Sequence, residues 1–132
     1  MPDTSSATHM RSMFSGCRSL IKAPVMDTSN VQSMGYMFAG CGQLRSVPVY
    51  DTSGWTDDIY SFSSMFAGCK NLNLQSLENI LTMCANSPES GYLGNDLQNS
   101  NNGLGLDDNL ISKCQHELPT YYQAALNNGW HI

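Results

Sequence analysis

Between Asp27 and Tyr50, apolar side chains fall at Val31, Met34, Met37 and Phe38, the i, i+3, i+6 and i+7 positions that share one face of a short helix. Ser29 with Gln32 matches the Ser-x-x-Gln capping box, in which each side chain satisfies a backbone N–H at the helix start, so Asp27-Thr28-Ser29 is expected to open that helix. Gly40 stands where a glycine commonly ends one. Leu44, Val47 and Val49 around Pro48 then read as an extended piece leading to Asp51. The predicted unit is a short helix, a turn, a short extended strand and a return.

This pattern recurs. Asp3-Thr4-Ser5, Asp27-Thr28-Ser29 and Asp51-Thr52-Ser53 are spaced by 24 residues, and the same register superposes Met13-Phe14-Ser15-Gly16-Cys17, Met37-Phe38-Ala39-Gly40-Cys41 and Met65-Phe66-Ala67-Gly68-Cys69. The third unit carries four extra residues around Trp55-Thr56-Asp57-Asp58, an insertion of the kind that stacked units accept in one loop. A unit of this size cannot close a core alone. Neighbours are expected to pack in register, Met on Met, Phe on Phe, and Leu20 on Leu44 on Leu72. Met10, Met13, Met34, Met37 and Met65 are accordingly read as core rather than as a binding surface.

Past the repeats, residues 76–84 predict a helix that Ser76 caps and that buries Leu77, Ile80, Leu81 and Cys84. Residues 86–106 are polar and rich in turn formers and read as a long loop. Asp108 opens a helix burying Leu110, Ile111 and Cys114, and Thr120 caps another that Gly129 ends. The organisation read from this is a three-unit array over 1–77 and a helical C-terminal cap over 78–132. No equivalent cap precedes Asp3, so the first unit offers a surface for self-association or for the next unit of a longer array.

The motif Asp-Thr-Ser-x-Val-x-x-Met-x-x-Met-Phe-x-Gly-Cys-x-x-Leu-x-x-x-Pro, met almost throughout in residues 27–48, resembles the BspA-type leucine-rich-like repeat of bacterial surface proteins and of phages of gut bacteria. Ala7 in place of Val31, Phe62 in place of Met34 and the missing proline of the third unit depart from it. The resemblance covers roughly residues 3 to 77. It implies an α/β repeat fold, a short leucine-rich-repeat-like solenoid of about three coils, used for adhesion or partner binding on a cell surface or virion rather than for a reaction.

Composition narrows the alternatives. With 132 residues, 41% hydrophobic and 13% charged, the chain suits one core. Six Lys and Arg against eleven Asp and Glu give a net charge of −5, which disfavours nucleic acid because phosphate binding needs clustered positive charge. No apolar run reaches the ~18 residues of a membrane span, so no membrane insertion is expected. Met1-Pro2-Asp3-Thr4-Ser5-Ser6 lacks the basic start of a signal peptide, and an odd count of five cysteines leaves a thiol unpaired, both of which point to the cytoplasm rather than a surface. Localisation stays open between these.

Candidate chemistry is sparse. Cys17, Cys41 and Cys69 are spaced by the repeat, with no Cys-x-x-Cys pair, and are expected to form a buried ladder of free thiols. Cys114-x-His116 is the one near pair that the three histidines make, Asp57-Asp58 is weighed for calcium or acid–base work and read as a solvated turn, and neither a nucleophile elbow nor a phosphate-binding glycine loop is present. The chain is therefore read as no enzyme, with no cofactor and no metal. One distribution stands out: Arg18, Lys22, Arg45 and Lys70 all follow Gly-Cys closely, whereas residues 78–132 hold six acids and only Lys113. Exposed edges also carry charge for solubility alone. The functional reading is a positive strip for an acidic protein partner, with Gln43, Asn71 and Asn73 as polar contacts and Tyr36, Tyr50, Trp55 and Tyr60 as aromatic anchors. The expected role is a protein-binding module that contacts a host or structural protein, or alternatively a small acidic phage or mobile-element protein that blocks an intracellular defence protein.

Overall fold

The computed structural model describes residues 6–56, 62–94 and 103–131. Its repeat units follow a three-residue rhythm. In the second unit Thr28, Val31, Met34 and Met37 are buried, and after Phe38 so are Cys41, Leu44, Val47 and Tyr50. Backbone hydrogen bonds mark the same rhythm: the N–H groups of Val31, Met37, Cys41 and Leu44 each donate to the carbonyl three residues back, at 3.0–3.2 Å. Each such turn brings one side chain inward.

This overturns the expected α/β solenoid of helix-plus-strand coils. Among the described residues there are three α-helices, all from Leu74 onward, and no β-strand; the repeat units hold only turns and isolated parallel bridges such as His9 with Ser33 and Lys22 with Ser46. The reason is local. Tyr36 has φ of 58° and Gly40 of 78°, so an α-helix cannot run from Asp27 to Gly40. Ser12 and Ser64, the counterparts of Tyr36, and Gly16 and Gly68, those of Gly40, share this left-handed conformation. A face at i, i+3, i+6 and i+7 is common to a helix and to a chain of three-residue turns. Nor does Asp-Thr-Ser cap a helix: the Asp27 carboxylate accepts from Ser29 N–H and Oγ, and that of Asp51 from Ser53 N–H, closing local Asx turns. Hydrogen bonds from the Ser53 side chain and then from its backbone N–H hold the Asp51 carboxyl below its ordinary pKa.

Successive units are joined through the backbone groups the turns leave free. The N–H groups of Met10, Ser12, Phe14 and Gly16 donate to the carbonyls of Ser33, Gly35, Met37 and Ala39, and those of Tyr36, Phe38 and Gly40 donate to Ser63, Met65 and Ala67. Equivalent side chains therefore meet. Phe14, Phe38 and Phe66 stack with centroids 5.6 and 5.9 Å apart and planes within 11° of parallel. Tyr50 closes on Phe38 at 6.2 Å and donates its hydroxyl to Pro24 O.

Segments outside the repeat extend the same ladder. Ser64 and Phe66 donate to Gly103 and Leu104, Leu104 and Leu106 to Tyr92 and Leu93, and Leu93 to His131. Within the 86–106 stretch, Leu93, Gly94, Leu104 and Leu106 are buried, while 95–102 lie outside the described residues. Three helices follow the array: α1 (Leu74–Asn86), α2 (Asp108–Glu117) and α3 (Pro119–Asn127), with α1 packed mainly against α3. The α1 cap is Asn73, whose side chain accepts from Ser76 N–H. Ser76, expected to cap this helix, is buried instead: its hydroxyl donates to Arg45 O and accepts from Val47 N–H. Asp107 caps α2, and α3 opens on Pro119, where a missing N–H costs nothing. At the far end Asn128 donates to Cys84 O and Ser87 O, and Trp130 lies against Phe62 at 4.9 Å.

Candidate partner-binding surface

One repeat position follows each Gly-Cys turn, and its three occupants are Arg18 and Lys70, both exposed, with the half-buried Gly42 between them. Backbone spacing in such a ladder is about 4.8 Å per step, so the two cations start about 10 Å apart with a glycine between them. They line one open depression of about 390 Å³ together with Gly40, Gly42, Gln43 and Gly68. Its floor is bare because the turns demand glycine: φ is 78° at Gly40 and at Gly68, and a Cβ on Gly68 would stand 3.4 Å from Gly40 Cα. At Gly42 a Cβ would meet nothing within 4 Å, so this part of the depression is open.

Among the described residues, neither the Arg18 guanidinium nor the Lys70 ammonium has a side-chain partner, and Gln43 also keeps its amide free. Asn71, next to Lys70, spends its amide on Gly42 O and so braces the floor. A second depression, of about 540 Å³, adjoins across Gly68 and is lined by Gly105, Asp107, Asp108 and Asn109. The surface is thus positive over Gly42 and negative beyond Gly68.

The other sequence-selected residues are dispersed. Lys22 and Arg45 are exposed but lie outside this depression: Lys22 bridges to Ser46, and Arg45 N–H donates to Ile21 O, so the two are one residue out of register. Asn73 is engaged as the α1 cap. Tyr36 is half-buried, with the Arg11 guanidinium 6.0 Å from its ring centre. Tyr50 and Trp55 are 2% and 4% exposed, so both pack the core and neither presents an anchor to a partner. Tyr60 and Asp57-Asp58 lie outside the described residues. Gly42 carries no signal of its own in the sequence; only its place in one repeat column with Arg18 and Lys70 marks the gap it leaves.

The thiols run beneath this surface. Cys41 Sγ donates to Phe14 O at 3.1 Å and Cys69 Sγ to Phe38 O at 3.0 Å, so each thiol ties its own unit to the preceding one. Burial pushes the Cys69 thiol up to about 12 and Cys114 up to about 11, and raises Cys41 and Cys84 in the same direction. Cys114 faces the core while His116 is exposed, so that pair does not converge. Among the described residues no three His, Cys, Asp or Glu side chains share a point that could hold a metal, and no helix is long and apolar enough to cross a membrane.

Residues 1–91, which take in all three units and α1, match the family described as "Mycoplasma protein of unknown function, DUF285". The chain belongs to the DUF285 family. The residues that line the cationic depression all fall within the matched segment. No curated protein and no solved structure matches the chain.

Proposed function

We propose that this DUF285 protein is a non-enzymatic protein-binding module that meets an acidic partner through the depression formed by Arg18, Gln43 and Lys70. The observation that carries this reading is the pair of unpartnered cations facing one open space in a chain of net charge −5. With eleven carboxylates in the chain, folding leaves these two without one among the described residues, and a site with free donors but no nucleophile beside a base fits recognition rather than turnover. The likeness of residues 27–48 to BspA-type repeats supports a surface or virion setting, in which the partner is a host or structural protein.

A second reading draws on the thiols. Cys41 and Cys69 act as S–H donors to backbone carbonyls, a role open only to reduced sulfur, and this favours a reducing compartment. There the module would bind and block an intracellular protein of the host. Capture experiments on lysate and on surface fractions of a gut bacterium separate the settings, and Arg18→Glu with Lys70→Glu tests the site. Capture of one defined protein, lost on charge reversal, is the expected result; equal capture by the reversed variant would overturn the assignment of the surface.

A further inference from the structure

Resting on the protein-binding reading above, we propose that the gap over Gly42 is a socket for a single carboxylate side chain, a Glu or Asp presented by the partner protein. Three features define it. Arg18 and Lys70 approach from either side along one repeat position, and their stems are long enough to meet over the glycine between them. Gln43 adds a neutral amide donor at the rim. Gly42 itself lines the depression, and a Cβ built there would meet nothing within 4 Å, so position 42 has room for a side chain.

The surroundings select the ligand. A planar guanidinium and an amide suit the two oxygens of a carboxylate, and an ammonium adds a point charge. Beyond Gly68 the floor continues past Asp107 and Asp108, so a polyanion laid along it would leave the cations and meet two carboxylates. An extended peptide with one acidic residue over Gly42 avoids that penalty.

The same geometry supplies a test within the chain. Gly42→Glu would place the protein's own carboxylate between Arg18 and Lys70 and occupy the socket, whereas Gly42→Ala leaves it open. Gly42 does not adopt the left-handed conformation that would strain either residue, so both variants are expected to keep the wild-type amide spectrum. The experiment is an amide-resolved NMR titration at low ionic strength with acetyl-Ala-Ala-Glu-Ala-Ala-amide, its Gln counterpart and inorganic phosphate as separate probes. Saturable shifts at Gly42, Gln43 and Lys70 with the Glu peptide, retained in Gly42→Ala and weakened about tenfold or more in Gly42→Glu and with the Gln peptide, are the expected result. No saturable shift with the Glu peptide, equal binding of the Gln peptide, or tighter binding of phosphate at the same amides would each overturn the socket. Because the titration needs no partner, its failure leaves the protein-binding reading to stand or fall on capture. Conversely, a captured partner that binds Gly42→Glu as well as wild type overturns the socket alone.

Discussion

Removing the Phe38 ring interrupts the stack that runs through all three units, and the cost follows from its surroundings. Phe38 is 0% exposed and faces Phe14, Phe66 and Tyr50 at 5.6, 5.9 and 6.2 Å. A buried Phe→Ala change costs about 3–5 kcal/mol, from lost transfer energy and the cavity left behind. Turns fixed by hydrogen bonds to both neighbouring units leave little room for collapse, so Phe38→Ala is expected at about 4 kcal/mol, a large share of the roughly 5–15 kcal/mol typical of a domain. Phe14 ends the row, is only half-buried and has one ring neighbour, so Phe14→Ala is expected at about half that cost. In urea unfolding, a slope of about 2 kcal/mol per molar converts the Phe38→Ala loss into a midpoint lower by about 2 M, with the slope unchanged. Equal losses for the two variants, or a loss below about 2 kcal/mol at Phe38, would refute the view that the stacked row is the central element of the core.

Ser76→Ala removes the hydroxyl that serves both Arg45 O and Val47 N–H and strands a buried donor, so a loss of about 1–3 kcal/mol in the same assay is expected, whereas a merely solvent-facing serine would show almost none. The thiols give a pH dependence of defined sign. Cys69 and Cys114 hold their protons to about 12 and 11 when folded but titrate near the ordinary ~8.5 when unfolded. The folded state therefore binds more protons above that point. Stability should be flat in this respect below about pH 8 and fall as pH rises toward 11 and 12, and Cys69→Ser should flatten the fall measured by urea midpoints at pH 7.5 and 10.5. Native alkylation should label half-exposed Cys17 first and leave the four buried thiols to react only on unfolding.

Much of the array is legible in the sequence because its columns repeat. In the second and third units the Met, Phe, Cys and Leu columns mark buried positions, whereas in the first unit Met13, read as core, is exposed and Phe14, Cys17 and Leu20 are only partly buried; the 24-residue register still gives the pairs that touch, as the Phe14, Phe38 and Phe66 stack shows. The backbone that carries those columns is not legible from periodicity. Val31, Met34 and Met37 mark a spacing of three, and only the left-handed conformation of Tyr36, a residue with no turn signature of its own, separates linked turns from a helix. Ser12 and Ser64 hide the same feature. Side chains that serve distant backbone groups are equally silent. Ser76 reads locally as a helix cap and Asn128 as a polar helix end, yet their bonds reach Arg45, Val47, Cys84 and Ser87 across 29 to 44 residues.

The candidate surface is legible in part for the same reason. Arg18 and Lys70 fall in one column and meet at one depression, but Lys22 and Arg45 fall in adjacent columns of the paired segments and line no part of it. Residue type alone marks Tyr50 and Trp55 as aromatic anchors, yet both are buried, and three-residue turns send position 50 inward with positions 41, 44 and 47.

The most direct measurement of partner contact is site-specific photo-cross-linking. A benzoylphenylalanine at Gln43, on the rim of the cationic depression, is compared with one at Tyr121, which is exposed on α3 and outside that depression. Position 43 is expected to give one discrete protein adduct that disappears when Arg18 and Lys70 are both changed to Glu, and position 121 none. An adduct at position 121 but not 43, or one at 43 that survives charge reversal, would contradict the account.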